Sequence, residues 1–154
     1  MARFTIRLNT DLDTAEAWRR LWDLDAHSEL IPLTRLSGDG TGGRQLQPGD
    51  CFIARTGIGP IGVDDVMQVR AFDAPAPGEP ARAEVVKTGR MIRGRIEAEL
   101  RGRSGGSELV WTQEIGIAGL PAALDPVVAA VATAAYGSVL KRLLARSPAE
   151  GSKS

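Results

Sequence analysis

Phe4, Ile6 and Leu8 alternate with Arg3, Thr5 and Arg7 at the start of the chain, and a period of two predicts a strand with one buried face. The period then lengthens. Asp13-Thr14-Ala15-Glu16 has the form of a capping box, with Asp13 as N-cap and Glu16 reaching back. Ala17, Trp18, Leu21 and Trp22 form an apolar stripe behind it, so a helix is expected from Thr14 to Leu24. The segment Asp25 to Glu29 reads as a second short helix, and Pro32 prevents its continuation. An extended piece follows near Leu33 to Leu36, then a glycine-rich loop from Ser37 to Gly49.

Strand patterns cover Cys51–Thr56, Ile61–Phe72, Arg82–Thr88, Ile92–Arg101 and Glu108–Ile117. Turns rich in glycine or proline separate them, at Gly57–Pro60, Asp73–Pro80, Gly89–Arg90 and Ser104–Ser107. From Ala123 to Arg146 the chain reads as one helix, with Leu124, Val127, Val128, Val131, Ala135 and Val139 on a wide apolar face. Asp125 at its start and Lys141, Arg142 and Arg146 at its end suit the helix dipole. Residues 1–147 are expected to form a single domain, and 148–154 a disordered polar tail.

This order predicts an α+β fold: a curved antiparallel sheet of about seven strands gripping a long C-terminal helix, with two short helices after strand 1. Such a sheet cannot cover its own apolar face unless it closes. A terminal helix of about 24 residues is ~36 Å long and is the element able to cover it. A curved sheet and a cylinder do not match in shape, so a cavity between them is expected.

The chain's 154 residues suit one domain, and 43% apolar with 25% charged residues is an ordinary globular balance. Nineteen basic groups cancel nineteen acidic ones, with a sequence pI of about 6.6, which argues against a nucleic-acid partner. With Cys51 the single cysteine and His27 the single histidine, an internal disulfide and a multi-histidine metal site are excluded. A Ser-His-acid centre lacks its Gly-x-Ser-x-Gly elbow. The N-terminus has no signal-peptide core. The uncharged run from Pro126 to Leu140 is ~22 Å as a helix, short of the ~30 Å hydrocarbon core. Membrane insertion is therefore not expected, and the chain reads as cytoplasmic. Its wealth of alanine, glycine and arginine suggests a bacterial source.

Two stretches match G-x-G-x-x-G, Gly38–Gly43 and Gly57–Gly62. A dinucleotide loop must open a helix, yet Pro48, Pro60 and strand patterns follow these. A loop over the cavity mouth and a hairpin are the expectation. Asp64 and Asp65 are adjacent on a strand and point to opposite faces. Asp65 shares its face with Val63, Met67, Val69 and Ala71. Lys87 shares one with Ala83, Val85 and Gly89, and Gln113 with Leu109, Trp111, Ile115 and Ile117. Either these polar groups form a polar spot that orients a ligand's oxygen atoms, or they lie at strand ends or pair Lys87 with Asp65. Tyr136 sits on the flank of the terminal helix, either packed with one hydrogen bond or touching a ligand. Trp111 and Met67 would line the same space. His27 is expected to cap or face solvent, with a cavity-rim role as the alternative. Arg93 and Arg95 face outward beside Glu97 and Glu99, a solvated face unless an anionic partner binds there.

Several local stretches resemble one superfamily: Ala17-Trp18 with Leu21, Asp25-x-His27 through Ile31-Pro32, Gly49-Asp50 entering a strand, Asp65-x-Met67-x-Val69 with Phe72-Asp73, and Lys87-Thr88-Gly89-Arg90 with Gly94. With the element order, they make residues 2–146 similar to the START-like, helix-grip or SRPBCC superfamily, also called polyketide cyclase/dehydrase-like. The resemblance implies a cavity for a hydrophobic ligand. The superfamily includes lipid carriers, hormone receptors, co-chaperones, oxygenase subunits and aromatic polyketide cyclases. The oxygenase metal site needs two histidines, so no cofactor is expected here. The expected function is binding of a small, largely hydrophobic ligand of lipid, sterol or aromatic polyketide type. Asp65, Met67, Lys87, Trp111, Gln113 and Tyr136 would line its cavity. The alternatives are a cyclase/dehydratase in which Asp65, Lys87 or Tyr136 moves protons, and an interaction module using the outer sheet face. A homodimer through Trp22 and the outer strands stays open.

Overall fold

A computed structural model describes residues 1–146; the expected tail, 148–154, lies outside the described residues. In chain order the elements are β1 (Ala2–Thr10), α1 (Thr14–Leu21), α2 (Leu24–Leu30), β2 (Thr34–Gly38), β3 (Cys51–Ile58), β4 (Ile61–Asp73), β5 (Ala81–Thr88), β6 (Ile92–Arg103), β7 (Gly106–Ile117) and α3 (Asp125–Ala145), the last preceded by a 3₁₀ turn at Ala122–Leu124. The seven strands form one antiparallel sheet in the order β1-β7-β6-β5-β4-β3-β2. It curves around α3 without closing into a barrel, because β1 and β2 remain its two edges. At Gly94 (φ +152°) a side chain would place its Cβ 1.9 Å from the Glu114 carbonyl oxygen. Glycine thus permits a close approach of β6 to β7.

Asp13 caps α1 by accepting from the Glu16 N–H at 2.8 Å. The expected return bond from Glu16 is replaced by ion pairs to Arg19 and Arg20. These guanidiniums hold the Glu16 carboxyl down at about 2. Arg20 is itself buried and donates to the carbonyls of Leu144 (3.0 Å) and Arg146. It satisfies acceptors that the end of α3 leaves orphaned, so α1 helps to close that terminus. α2 begins at Leu24, one residue earlier than expected. Its cap is Asp23, which accepts from the Ala26 N–H at 3.1 Å, while Asp25 accepts from the Gly42 N–H at 2.9 Å and pins the glycine-rich segment. His27 neither caps α2 nor faces solvent. It is half-buried, and its Nε2 lies 2.8 Å from the Leu21 carbonyl oxygen, locking α1 to α2. Burial holds its imidazole below the ordinary histidine value, against the pull of that carbonyl.

Two expectations about facing are corrected. A β-bulge between Val69 and Ala71 shifts the register of β4 against β5. The extra residue reverses the alternation, so Phe72 pairs with Ala83 on the inner face and Ala71 pairs with Glu84 on the outer one. The second correction concerns α3. Its sheet-facing side carries Ala132, Tyr136, Val139, Leu140 and Leu143, while Leu124, Val127 and Val131 are 41%, 58% and 64% exposed. The docked face is turned by about 100°, one residue's rotation, from the expected one. The alanine- and valine-rich first half carries a weak phase. Leu140, Leu143 and Leu144, packed at the α1 end, set the rotation for the whole rigid helix. By length and composition Ala122–Ala145 is apolar enough to cross a bilayer, at a hydropathy of 1.5, but in this fold it is the gripped helix, resting mainly on β1.

Candidate functional site

Register alone brings the inward polar positions together. Met67 on β4 pairs with Lys87 on β5, Lys87 with Gly94 on β6, and Gly94 with Ile115 on β7. One row further along, Val69, Val85, Ile96, Gln113 and Phe4 succeed one another across the sheet. Asp65 stands two residues before Met67 on the same face. α3 crosses this surface with Tyr136 turned down onto it: the Tyr136 ring lies 5.9 Å from Phe4 and 6.4 Å from Trp111. All six residues singled out in the sequence therefore lie on the concave side of the sheet or on the helix face that meets it.

Lys87 is the hub. Its side chain is fully buried, and its Nζ donates to Asp65 Oδ2 and to the Tyr136 hydroxyl oxygen at 3.5 Å, with Met67 Sδ at 3.9 Å. Burial alone would depress the Lys87 ammonium, but Tyr136 and Asp65 outweigh that cost and hold it above the ordinary lysine range. Beside this group, Trp111 Nε1 donates to Gln113 Oε1 at 3.1 Å. That bond fixes the amide orientation and turns Gln113 Nε2 the other way. Of the alternatives open in the sequence, the Lys87–Asp65 ion pair is present, and polar atoms are left over beside it. Asp65 Oδ1 and Gln113 Nε2 are buried and have no hydrogen-bond partner among the described residues. One is an acceptor and the other a donor.

Burial along the inward positions falls towards one end of the grip. On β4, Val69, Met67 and Asp65 are buried, while Val63 and Ile61, further along the same face, are 39% and 81% exposed. Their partners on β3 are Thr56 and Ile58, and Ile58 is also exposed. This hairpin arm projects past the polar cluster with its apolar inner face uncovered. Leu124 of the 3₁₀ turn, Val127 and Val131 of α3, and Met91 of the β5–β6 turn are exposed as well. The Gly57–Gly62 match is this hairpin's tip, and the Gly38–Gly43 match is the turn after β2; neither opens a helix.

Pattern reading missed Phe4 and Phe72 as partners of this region. Phe4 was visible as an inward strand residue, but its contact with Tyr136 depends on the rotation of α3. Phe72 was hidden by the bulge. Trp22, expected to be available for a dimer, is buried and stacks on Trp111 at 5.6 Å. The outer sheet face is solvated and charge-balanced: Arg95 pairs with Glu84 and Glu97, and Arg82 with Glu99.

A curved seven-stranded antiparallel sheet gripping a C-terminal helix, with two short helices after β1, is a helix-grip fold. Among solved structures the chain is similar to TTHA0849 from Thermus thermophilus, at 13% identity over 99% of each chain and a TM-score of 0.69. It is similar to Ara h 8.0201, at 14% identity over 94% of this chain and 98% of that one, TM-score 0.62. It is also similar to the Zhui aromatase/cyclase from Streptomyces sp. R1128, at 10% identity over 92% of this chain and 90% of that one, TM-score 0.62. No family model matches the chain, and no curated protein matches it. Identities this low carry the fold alone.

Proposed function

We propose that the protein binds a small, largely apolar molecule bearing oxygen functions between the sheet and α3. The supporting observation is the pair of leftover atoms on the concave face. Asp65 Oδ1 accepts and Gln113 Nε2 donates, and both are buried without a partner among the described residues. A buried polar group without a partner costs ~1–3 kcal/mol, and a ligand offering a hydroxyl to one and a carbonyl to the other would recover it. The surrounding Met67, Trp111 and Tyr136 supply apolar contact, worth ~25 cal/mol per Å² of apolar surface buried. The exposed apolar positions Val63, Ile61 and Val131 suit an entrance. Hydroxylated aromatic polyketides carry this oxygen pattern; a simple sterol offers a hydroxyl alone and a fatty acid a carboxylate alone. The reading places the protein in the bacterial cytoplasm, without a cofactor or a nucleic-acid partner.

Displacement of a fluorescent apolar dye by fatty acids, sterols and aromatic polyketides tests it. A saturable competitor from the oxygenated classes, weakened about tenfold by Gln113→Leu, a loss of ~1.4 kcal/mol, is the expected result. Absence of any saturable competitor would overturn it.

A second reading is an enzyme of the cyclase/dehydratase type, favoured by the contact of Lys87 with both Asp65 and Tyr136, three groups able to hold or move a proton. Turnover of a polyketide-like substrate that collapses in Asp65→Asn would carry it. Retained turnover in that variant would remove Asp65 from the chemistry.

A further inference from the structure

A cavity of about 430 Å³ lies away from the Lys87 cluster, among α1, the start of α2, the glycine-rich segment and the chain leaving β4. This is the size of a small organic ligand site. Its wall contains Trp18, Trp22, Phe72 and Leu46, and Arg44 and Arg19 lie at its edge. The three rings sit 5.4 to 5.8 Å from one another, edge-on or tilted. Trp18 and Trp22 are 4% and 8% exposed, and both indole N–H groups are buried without an acceptor among the described residues. Native interiors seldom leave two neighbouring donors in that condition.

The covering segment is a glycine-rich strap. Gly40, Gly42 and Gly43 all adopt left-handed backbone, with φ of +82°, +71° and +81°. Nothing lies within 4 Å of a Cβ built at Gly42 or Gly43, and the Gly42 N–H donated to Asp25 at 2.9 Å ties that stretch to α2. Its anchor is Leu46, 1% exposed; a Cβ on Gly40 would stand 2.4 Å from Leu46 Cδ2. Arg44 ties the segment together through Asp39 at 3.3 Å and Asp50 at 3.0 Å, while remaining 47% exposed.

We propose that this cavity is a second binding site, for a small aromatic carboxylate. The ring packs against Phe72 and the two indoles, where edge and face contacts favour a planar π-system. Carboxylate oxygens accept from the indole N–H groups once the strap lifts, and the guanidinium of Arg44 at the edge, released from Asp39 and Asp50 by that movement, supplies the opposite charge. The site is separate from the sheet–helix cleft, with the stacked pair Trp22 and Trp111 between them. Neither proposal depends on the other.

The chain has three tryptophans, Trp18, Trp22 and Trp111, so three indole N–H resonances report on both sites. With ¹⁵N-labelled protein and 1-naphthoate as probe, the Trp18 and Trp22 signals, assigned through Trp18→Phe and Trp22→Phe, should move downfield along a saturable curve. Trp111, whose N–H is already bonded to Gln113, should move less. Arg44→Gln should weaken 1-naphthoate about tenfold and leave the neutral 1-naphthalenemethanol unchanged. Shifts confined to Trp111 would place the probe in the cleft and overturn the second site. So would no saturable shift at millimolar probe, or equal weakening of both probes by Arg44→Gln.

Discussion

Replacing Lys87 by Met should cost the protein about 3 kcal/mol at neutral pH, near the lower end of the ~3–5 kcal/mol for removing one partner of a buried ion pair. The Lys87 side chain is fully buried and that of Asp65 is 13% exposed. Met keeps most of the apolar stem's packing, so the loss is electrostatic. Asp65 Oδ1 already lacks a partner, and the substitution strips Oδ2 of its own, leaving a carboxylate enclosed with no counter-charge. The slight exposure of Asp65 is what keeps the expected cost near the lower end. For a chain of this length, ~2–4 °C per kcal/mol makes the fall in Tm about 6–12 °C. Urea unfolding followed by tryptophan fluorescence measures it. The partner experiment is the double variant Lys87→Met/Asp65→Leu, which removes both charges. It should recover most of the loss, since apolar replacement of a whole buried pair is often neutral or stabilising, giving a coupling energy of at least ~2 kcal/mol. A single variant that loses less than ~1 kcal/mol, or a double variant no better than the single, would refute the reasoning.

Two pH responses follow from the helices. The folded-state value of His27 is depressed by burial, so its contribution is present above the ordinary value of 6.5 and is lost as pH falls below it. His27→Gln keeps a donor for the Leu21 carbonyl and should flatten the loss of stability below pH 6.5, read from urea midpoints. Glu16 is held at about 2 against an ordinary 4.5, so its stabilisation is present above 4.5 and disappears as pH falls through about 2. Its carboxylate is 33% exposed, and solvent screening keeps the effect of Glu16→Gln below ~1 kcal/mol, seen as a shallower acid limb between those pH values.

Period-two and helical patterning carried the element order because each strand has a face committed to one core. The same patterning failed wherever facing depends on something beyond one element's own alternation. The bulge at Val69/Ala71 adds a residue without any local signature, and exchanges Ala71 for Phe72 on the inner face. The rotation of α3 is set by Leu140, Leu143 and Leu144 at one end, where a distant helix meets them, so Val127 and Val131 were assigned to the wrong side. Asp65, Lys87 and Gln113 stood out in sequence because each breaks an apolar alternation. Their convergence, one of the alternatives that the sequence leaves open, is decided by the strand register. The Trp18–Trp22–Phe72 pocket was hidden for the same reason: two of its rings come from a helical stripe and the third from beyond the bulge.

The electrostatics of the cluster also limit what chemistry the cleft can support. An amine that forms Schiff bases or abstracts protons must spend part of its time neutral, and burial among apolar groups is the usual way to achieve that. Lys87 is buried, yet Asp65 and Tyr136 reverse the effect and keep the ammonium protonated through neutral pH. A fixed, desolvated cation beside an apolar wall is suited to holding negative charge on oxygen, such as a developing enolate, and unsuited to acting as base or nucleophile. Under the enzyme reading the proton would therefore be taken by Asp65 or Tyr136, with Lys87 in place to stabilise the anion formed. Under the binding reading the same cation, already neutralised by Asp65, contributes orientation rather than net attraction, which favours a neutral, oxygenated ligand over a free carboxylate.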